Sequence, residues 1–102
     1  MAFSQVEQEG WVMGAVVKVH GAIVDSWVEM RGPAGRGPRL VLQLATRERP
    51  KDLLIVEAEA SLVERGWLQD LGENLCHGSP VAATGHVQHS GMIHATHLQF
   101  AR

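Results

Sequence analysis

Arginine and lysine are concentrated in one short window of the sequence, where their side chains could bind a polyanion. The window 31–51 contains six basic residues, Arg31, Arg36, Arg39, Arg47, Arg49 and Lys51. Glu48 is its one acid, so the window carries six minus one, +5, while three bases and ten acids elsewhere give −7 and the total is −2. Because a guanidinium binds phosphate and stacks on bases, this division predicts a nucleic-acid-binding surface. A solvated arginine-rich loop is the alternative that charge alone leaves open.

Aromatic side chains that could stack on bases are few. The 102 residues include three tryptophans, two phenylalanines and no tyrosine. Trp27 stands just before the basic window, and we expect it to stack on a base, with burial in the core as the equally weighted alternative. Each stacked base contributes about 1–3 kcal/mol to binding. A chain with this few aromatic residues should therefore bind nucleic acid more weakly than a housekeeping single-strand-binding protein does.

Five of the six histidines lie close together in the sequence, at His77, His86, His89, His94 and His97. If the chain turns at 89–91, His86 lies opposite His94, near enough to share a metal ion. In extended chain, however, residues three apart point to opposite faces, so a four-ligand cage does not assemble and we predict no metal site. We expect His89 and His94 to touch phosphate or base edges, with binding that strengthens below neutral pH as the imidazoles gain charge.

Patterns typical of enzymes are missing from the sequence. The glycine-rich segment GPAGRG, 32–37, does not follow a buried strand into a helix, as a phosphate-binding loop would. Cys76 is the only cysteine, so neither an intrachain disulfide nor a cysteine zinc site can form, and a buried thiol is the more common role for such a residue. We predict no catalysis and no cofactor.

The elements that must position these side chains follow from the hydrophobic pattern. Residues 11–30 are rich in valine and isoleucine and predict one long strand that bends or bulges near a glycine. The segment 31–38 has three glycines and two prolines and predicts a flexible loop. Alternation over 39–47 predicts a half-buried strand, and 52–60 predicts a third strand paired with it in a hairpin.

The hydrophobic period changes over 61–77, where apolar residues recur about every four positions and predict one amphipathic helix. Ser61 and Glu64 match the capping box that satisfies free backbone N–H groups at a helix start. After the helix, 79–88 and 92–100 predict a second hairpin around the turn at 89–91.

Five strands with one helix between the third and fourth is the order of the OB fold, a mostly β, five-stranded Greek-key barrel. We therefore predict a single domain over 1–102, with 1–10 as a flexible N-terminus. OB folds bind oligonucleotides across strands two and three and through the loops that join strands one to two and four to five. The basic window falls on these elements and on the turn after strand two, so fold and charge indicate the same surface.

Two segments in the last third of the chain carry a family pattern: HGSPVAATGHVQ, with Gly78, Ser79 and Gly85, and MIHATHLQF, with Ala95 and Leu98. In these segments the chain resembles the bacterial single-stranded DNA-binding family, and within it the primosomal replication protein N group. The resemblance implies an OB fold, a homodimer, binding of single-stranded DNA, and partners in replication or replication restart.

Taken together, these patterns predict binding of single-stranded nucleic acid, DNA before RNA, with little sequence preference. The predicted binding residues are Trp27, Arg31, Arg36, Arg39, Arg47, Arg49, Lys51, His89 and His94. The main alternative is a protein-interaction module that meets a basic partner through Glu57, Glu59 and Glu64. No stretch approaches the roughly 20 apolar residues of a membrane span, and 1–10 lacks a signal-peptide pattern, so we expect a cytoplasmic protein without a membrane partner.

Overall fold

Five strands form the barrel of this protein. The computed structural model describes residues 12–30, 37–47, 52–73, 76–88 and 90–101. The strands are β1 (Val16–Glu29), β2 (Arg39–Ala45), β3 (Leu54–Glu59), β4 (Pro80–Val87) and β5 (Ile93–Phe100). They close in the order β1-β2-β3-β5-β4, and the helix α1 (Arg65–Gly72) lies between β3 and β4. This is the OB fold, and the predicted fold class is confirmed.

β1 is the longest strand, and it pairs with two neighbours. Its first part, 16–22, is antiparallel to β4, and its second part, 22–29, is antiparallel to β2. At Gly21, beside this change of partner, a Cβ atom would lie 2.9 Å from the Ala45 carbonyl oxygen, so glycine lets the two backbones approach. The register then shifts between Ile23 and Asp25. The predicted irregularity near a glycine is confirmed.

Both predicted hairpins are present. β2 and β3 pair antiparallel over six residue pairs, and β4 and β5 pair antiparallel over seven. The barrel closes where β3 and β5 run parallel, through Val56 opposite Ile93 and Glu57 opposite His94. This parallel pairing places the start of β5 beside the middle of β3.

The inward faces of the strands fill the barrel with branched aliphatic side chains, because alternate residues of a strand point to one side. The most completely buried are Ile23, Leu40, Leu42, Leu44, Val56 and Ile93. α1 packs against the barrel through Leu71, whose carbonyl oxygen accepts a 2.6 Å hydrogen bond from Ser26 Oγ on β1. Trp67 of α1 stacks on Phe100 of β5 with ring centroids 5.0 Å apart.

The helix is shorter than predicted. A 3-10 turn spans Ala60–Leu62, and Val63 is extended and buried in the core. The helix therefore begins after Glu64, which is its N-cap and makes no side-chain capping hydrogen bond, so the predicted capping box is wrong. Burial of Val63 requires an extended chain at that point, and tertiary packing outweighs the local helix signal.

Two predicted flexible segments fall largely outside the described residues. These are the N-terminus 1–10 and the loop 31–38, of which only 37 and 38 are described. Within the described ranges, no helix has the length and apolar character needed to cross a bilayer.

Candidate nucleic-acid interface

A row of outward-facing residues crosses the barrel at one level. Val28 packs against the core, so its neighbours Trp27 and Glu29 at the end of β1 face outward. Trp27 lies opposite Val41 of β2, Val41 lies opposite Glu57 of β3, and Glu57 lies opposite His94 of β5. The row therefore joins the end of β1 to the start of β5.

Arg39, the first residue of β2, is held between two carboxylates. Its Nη2 donates to Glu29 Oε1 at 2.8 Å, and its Nη1 donates to Glu57 Oε1. The side chain of Glu57 is 10% exposed and that of Arg39 is 26% exposed. The hydrogen bond from Arg39 lowers the pKa of Glu29, and the same bond raises the pKa of Arg39. Both groups therefore stay charged over a wider pH range than they would alone.

Trp27 and His94 extend this ion pair to either side. Trp27 Nε1 donates to Glu29 Oε2 at 3.2 Å, and His94 Nδ1 lies 3.4 Å from Glu57 Oε2. We call the five residues Trp27, Glu29, Arg39, Glu57 and His94 the outer-face network. With His94 neutral it carries one positive and two negative charges, a sum of −1.

The network changes what the basic window means on this face. Arg39 counts as a base in the sequence, yet two carboxylates already compensate its charge. Val41 faces outward but is only 6% exposed, between Trp27 and Glu57. The middle of the β2–β3 face is thus a covered polar network and not an open basic platform.

The pairing of Glu29 and Glu57 with Arg39 was not predicted from the sequence. The alternative function used Glu57 as a surface acid for a basic partner, and that assignment is wrong because Glu57 is buried and paired with Arg39. Glu59 and Glu64 are exposed, as that alternative required. The alternation of β3 could have placed Glu57 on the same face as Arg39, but its burial depends on the register of β3 with β5, which the sequence does not define.

The other predicted binding residues divide into described and undescribed positions. Arg47 is exposed just after β2 and has no ion-pair partner among the described residues. Arg31, Arg36, Arg49, Lys51 and His89 lie outside the described residues. In the part of the chain that the structure describes, no group of three or more histidine, cysteine or acidic side chains is placed to hold a metal ion.

Comparison with known proteins places this architecture among OB-fold proteins. No protein-family model matches the chain, and no curated protein matches it by sequence. Among solved structures, the mitochondrial single-stranded DNA-binding protein of S. cerevisiae is similar with a TM-score of 0.60 and 12% identity, over 89% of this chain and 98% of that one.

Two bacterial structures are also similar. The small single-stranded DNA-binding protein of Streptomyces coelicolor has a TM-score of 0.56 and 16% identity, over 88% of this chain and 95% of its own. The N-terminal domain of PriB from Thermoanaerobacter tencongensis, a dimeric structure, has a TM-score of 0.55 and 18% identity, over 85% of this chain and 96% of its own. The resemblance drawn from the sequence is confirmed at the level of the fold.

Proposed function

We propose that this protein binds single-stranded nucleic acid, DNA in preference to RNA, along the β2–β3 side of the barrel and with little sequence preference. The observation that carries the proposal is the position of the basic residues relative to β2. Five of the nine lie in the connections before and after this strand, at Arg31, Arg36, Arg47, Arg49 and Lys51. OB folds bind oligonucleotides on this side. Two of the three solved structures named above are described as single-stranded DNA-binding proteins.

We propose a division of roles among the predicted binding residues. The bases of the two connections would contact phosphates, and Trp27 would stack on a base at the edge of the outer-face network. Arg39 could reach a phosphate only by giving up a carboxylate, so we expect it to contribute less than Arg47. His94 and His89 would contact the bound nucleic acid near the connection between β4 and β5.

We also propose that the protein forms a homodimer and acts in DNA replication or replication restart in the cytoplasm. The dimeric PriB structure supports the first part, and the sequence resemblance supports the second. Light scattering after size exclusion tests the dimer directly, because a mass of 11.1 kDa would contradict it.

A fluorescence titration of labelled oligo-dT at several salt concentrations tests the binding. We expect affinity to fall steeply with salt, because each phosphate contact to a single strand contributes about 0.7 to the logarithmic salt slope. Arg47→Ala should lower that slope by about 0.7. Arg65→Ala, on the exposed face of α1, is the matched control and should leave it unchanged. No binding at about 20 mM salt would exclude the proposed function.

A further inference from the structure

Two histidines of the second hairpin face each other across neighbouring strands. His86 of β4 is the direct register partner of His94 of β5. Their neighbours Gly85, Val87, Ile93 and Ala95 are buried, so both imidazoles lie on the outer face of the barrel. Directly opposed residues have Cβ atoms about 4.5–5.5 Å apart, a separation from which two imidazoles can reach one ion.

The hydrogen bonds of the two rings define which nitrogen is left for a ligand. His86 Nδ1 lies 3.4 Å from the Gly14 carbonyl oxygen, and His94 Nδ1 lies 3.4 Å from Glu57 Oε2. A carbonyl oxygen and a carboxylate can only accept, so both contacts favour the tautomer in which Nδ1 carries the proton. In a neutral ring of that tautomer, Nε2 holds the free lone pair.

This arrangement has the second shell that histidine ligands of metals need. A metal-bound imidazole almost always donates its other N–H to a carboxylate or a backbone carbonyl, which fixes the tautomer and raises the basicity of the ligating nitrogen. His94 has the carboxylate of Glu57, and His86 has the carbonyl of Gly14. Glu57 also places a negative charge behind the site, although it shares that charge with Arg39.

We propose that His86 and His94 bind one divalent transition-metal ion through their Nε2 atoms, with water in the remaining coordination positions. Imidazole nitrogens favour Zn²⁺, Ni²⁺ and Cu²⁺ over Mg²⁺ and Ca²⁺, which prefer oxygen. The site has two protein ligands, fewer than the four-ligand cage that the sequence analysis excluded, and the proposal replaces the sequence prediction of no metal site. It does not depend on the proposed nucleic-acid binding, because both ligands and their second shell belong to the barrel itself.

Titration of the full chain with Zn²⁺, followed by the side-chain ¹⁵N resonances of the histidines, tests this site. In the free protein, both rings should show the Nδ1–H tautomer. Added Zn²⁺ should then move the Nε2 resonances of His86 and His94 together, with one saturation curve. Mg²⁺ at the same concentration should move neither. Absence of any Nε2 response up to about 1 mM Zn²⁺ would overturn the proposal.

Substitutions separate this site from scattered surface histidines. His86→Gln and His94→Gln should each weaken Zn²⁺ binding at least 10-fold. His97→Gln is the matched control, because His97 lies on the same hairpin but opposite Thr84, and it should change nothing. Circular dichroism would show that each variant keeps its fold. The paired site would be refuted if all three substitutions weakened Zn²⁺ binding equally, or if none of them weakened it.

Discussion

Replacing Arg39 with leucine should destabilise the protein by about 2–3 kcal/mol, since removing one partner of a largely buried ion pair leaves the other charge uncompensated. Two carboxylates lose their cation in this variant. Glu29 is well exposed, so water replaces its partner at little cost. Glu57 is 10% exposed and, among the described residues, retains only the contact with His94, so most of the loss arises there.

A double-mutant cycle with Glu57→Gln isolates that contribution. The Arg39→Leu/Glu57→Gln variant leaves no uncompensated buried charge, because the remaining carboxylate of Glu29 is exposed to water. The double variant should therefore recover part of the loss, with a coupling energy of about 1–3 kcal/mol. Urea unfolding at pH 7, followed by tryptophan fluorescence, measures all four proteins. Arg65→Ala is the surface control and should stay within about 0.5 kcal/mol of the parent protein.

Two results would refute this reasoning. A loss below about 0.5 kcal/mol for Arg39→Leu, with no coupling to Glu57, would mean that the ion pairs contribute nothing in solution. The second result concerns binding. If Arg39→Leu weakened oligo-dT binding more than Arg47→Ala while the protein remained folded, Arg39 would be a phosphate contact. The pairing of Arg39 with Glu29 and Glu57 would then not prevent it from binding phosphate.

Three further predictions concern single elements of the structure. The pKa of Glu29 is lowered in the folded protein, so the charged carboxylate adds to the free energy of unfolding above the usual glutamate pKa of about 4.3, and this addition is lost as pH falls through the folded value. The urea midpoints of Glu29→Gln and the parent protein should therefore differ more at pH 7 than at pH 3. An equal difference at the two pH values would contradict the pairing of Glu29 with Arg39. Trp27→Ala should weaken oligo-dT binding about 5- to 150-fold while Trp27→Phe keeps most of the affinity, and equal losses in a titration would exclude stacking. Gly85→Ala should lower the free energy of unfolding by about 3 kcal/mol in a urea titration, because the added Cβ would collide with the backbone of His94. Gly66→Ala in α1 is the control: its Cβ has no neighbour within 4 Å, so the change should be neutral or stabilising. A Gly85→Ala variant as stable as the parent protein would contradict the close approach of β4 and β5.

The strands of this fold could be predicted because their hydrophobic period is simple. Leu40, Leu42 and Leu44 recur at every second position and are all buried in the barrel. The start of the helix could not be predicted in the same way. Ser61 and Glu64 have the local pattern of a capping box, but the core requires Val63 in extended chain. Local helix propensity contributes little to the choice of conformation when burial of a side chain such as that of Val63 requires an extended chain.

The ion pairs of the candidate site could not be predicted as the strands could, because charge is counted along the chain while ion pairs form between strands. Arg39 belongs to a basic window of the sequence, but its partners Glu29 and Glu57 are 10 and 18 residues away. The contact of Glu57 with His94 spans 37 residues and requires the parallel pairing of β3 with β5. Nothing in the spacing of these residues indicates that pairing. The opposition of His86 and His94 was predictable, because a short turn sets the register of a hairpin.

The barrel closes through a narrow seam. β3 and β5 share two register pairs, while the other neighbouring strands share six or seven. Since local opening begins where few backbone hydrogen bonds hold, amide protons at this seam should exchange with solvent before those of the hairpins. Glu57 and His94 lie on opposite sides of the seam, and Arg39 ties Glu57 to β2. The outer-face network therefore also holds β3 and β5 together through side chains at the pairing where local opening of the barrel would begin.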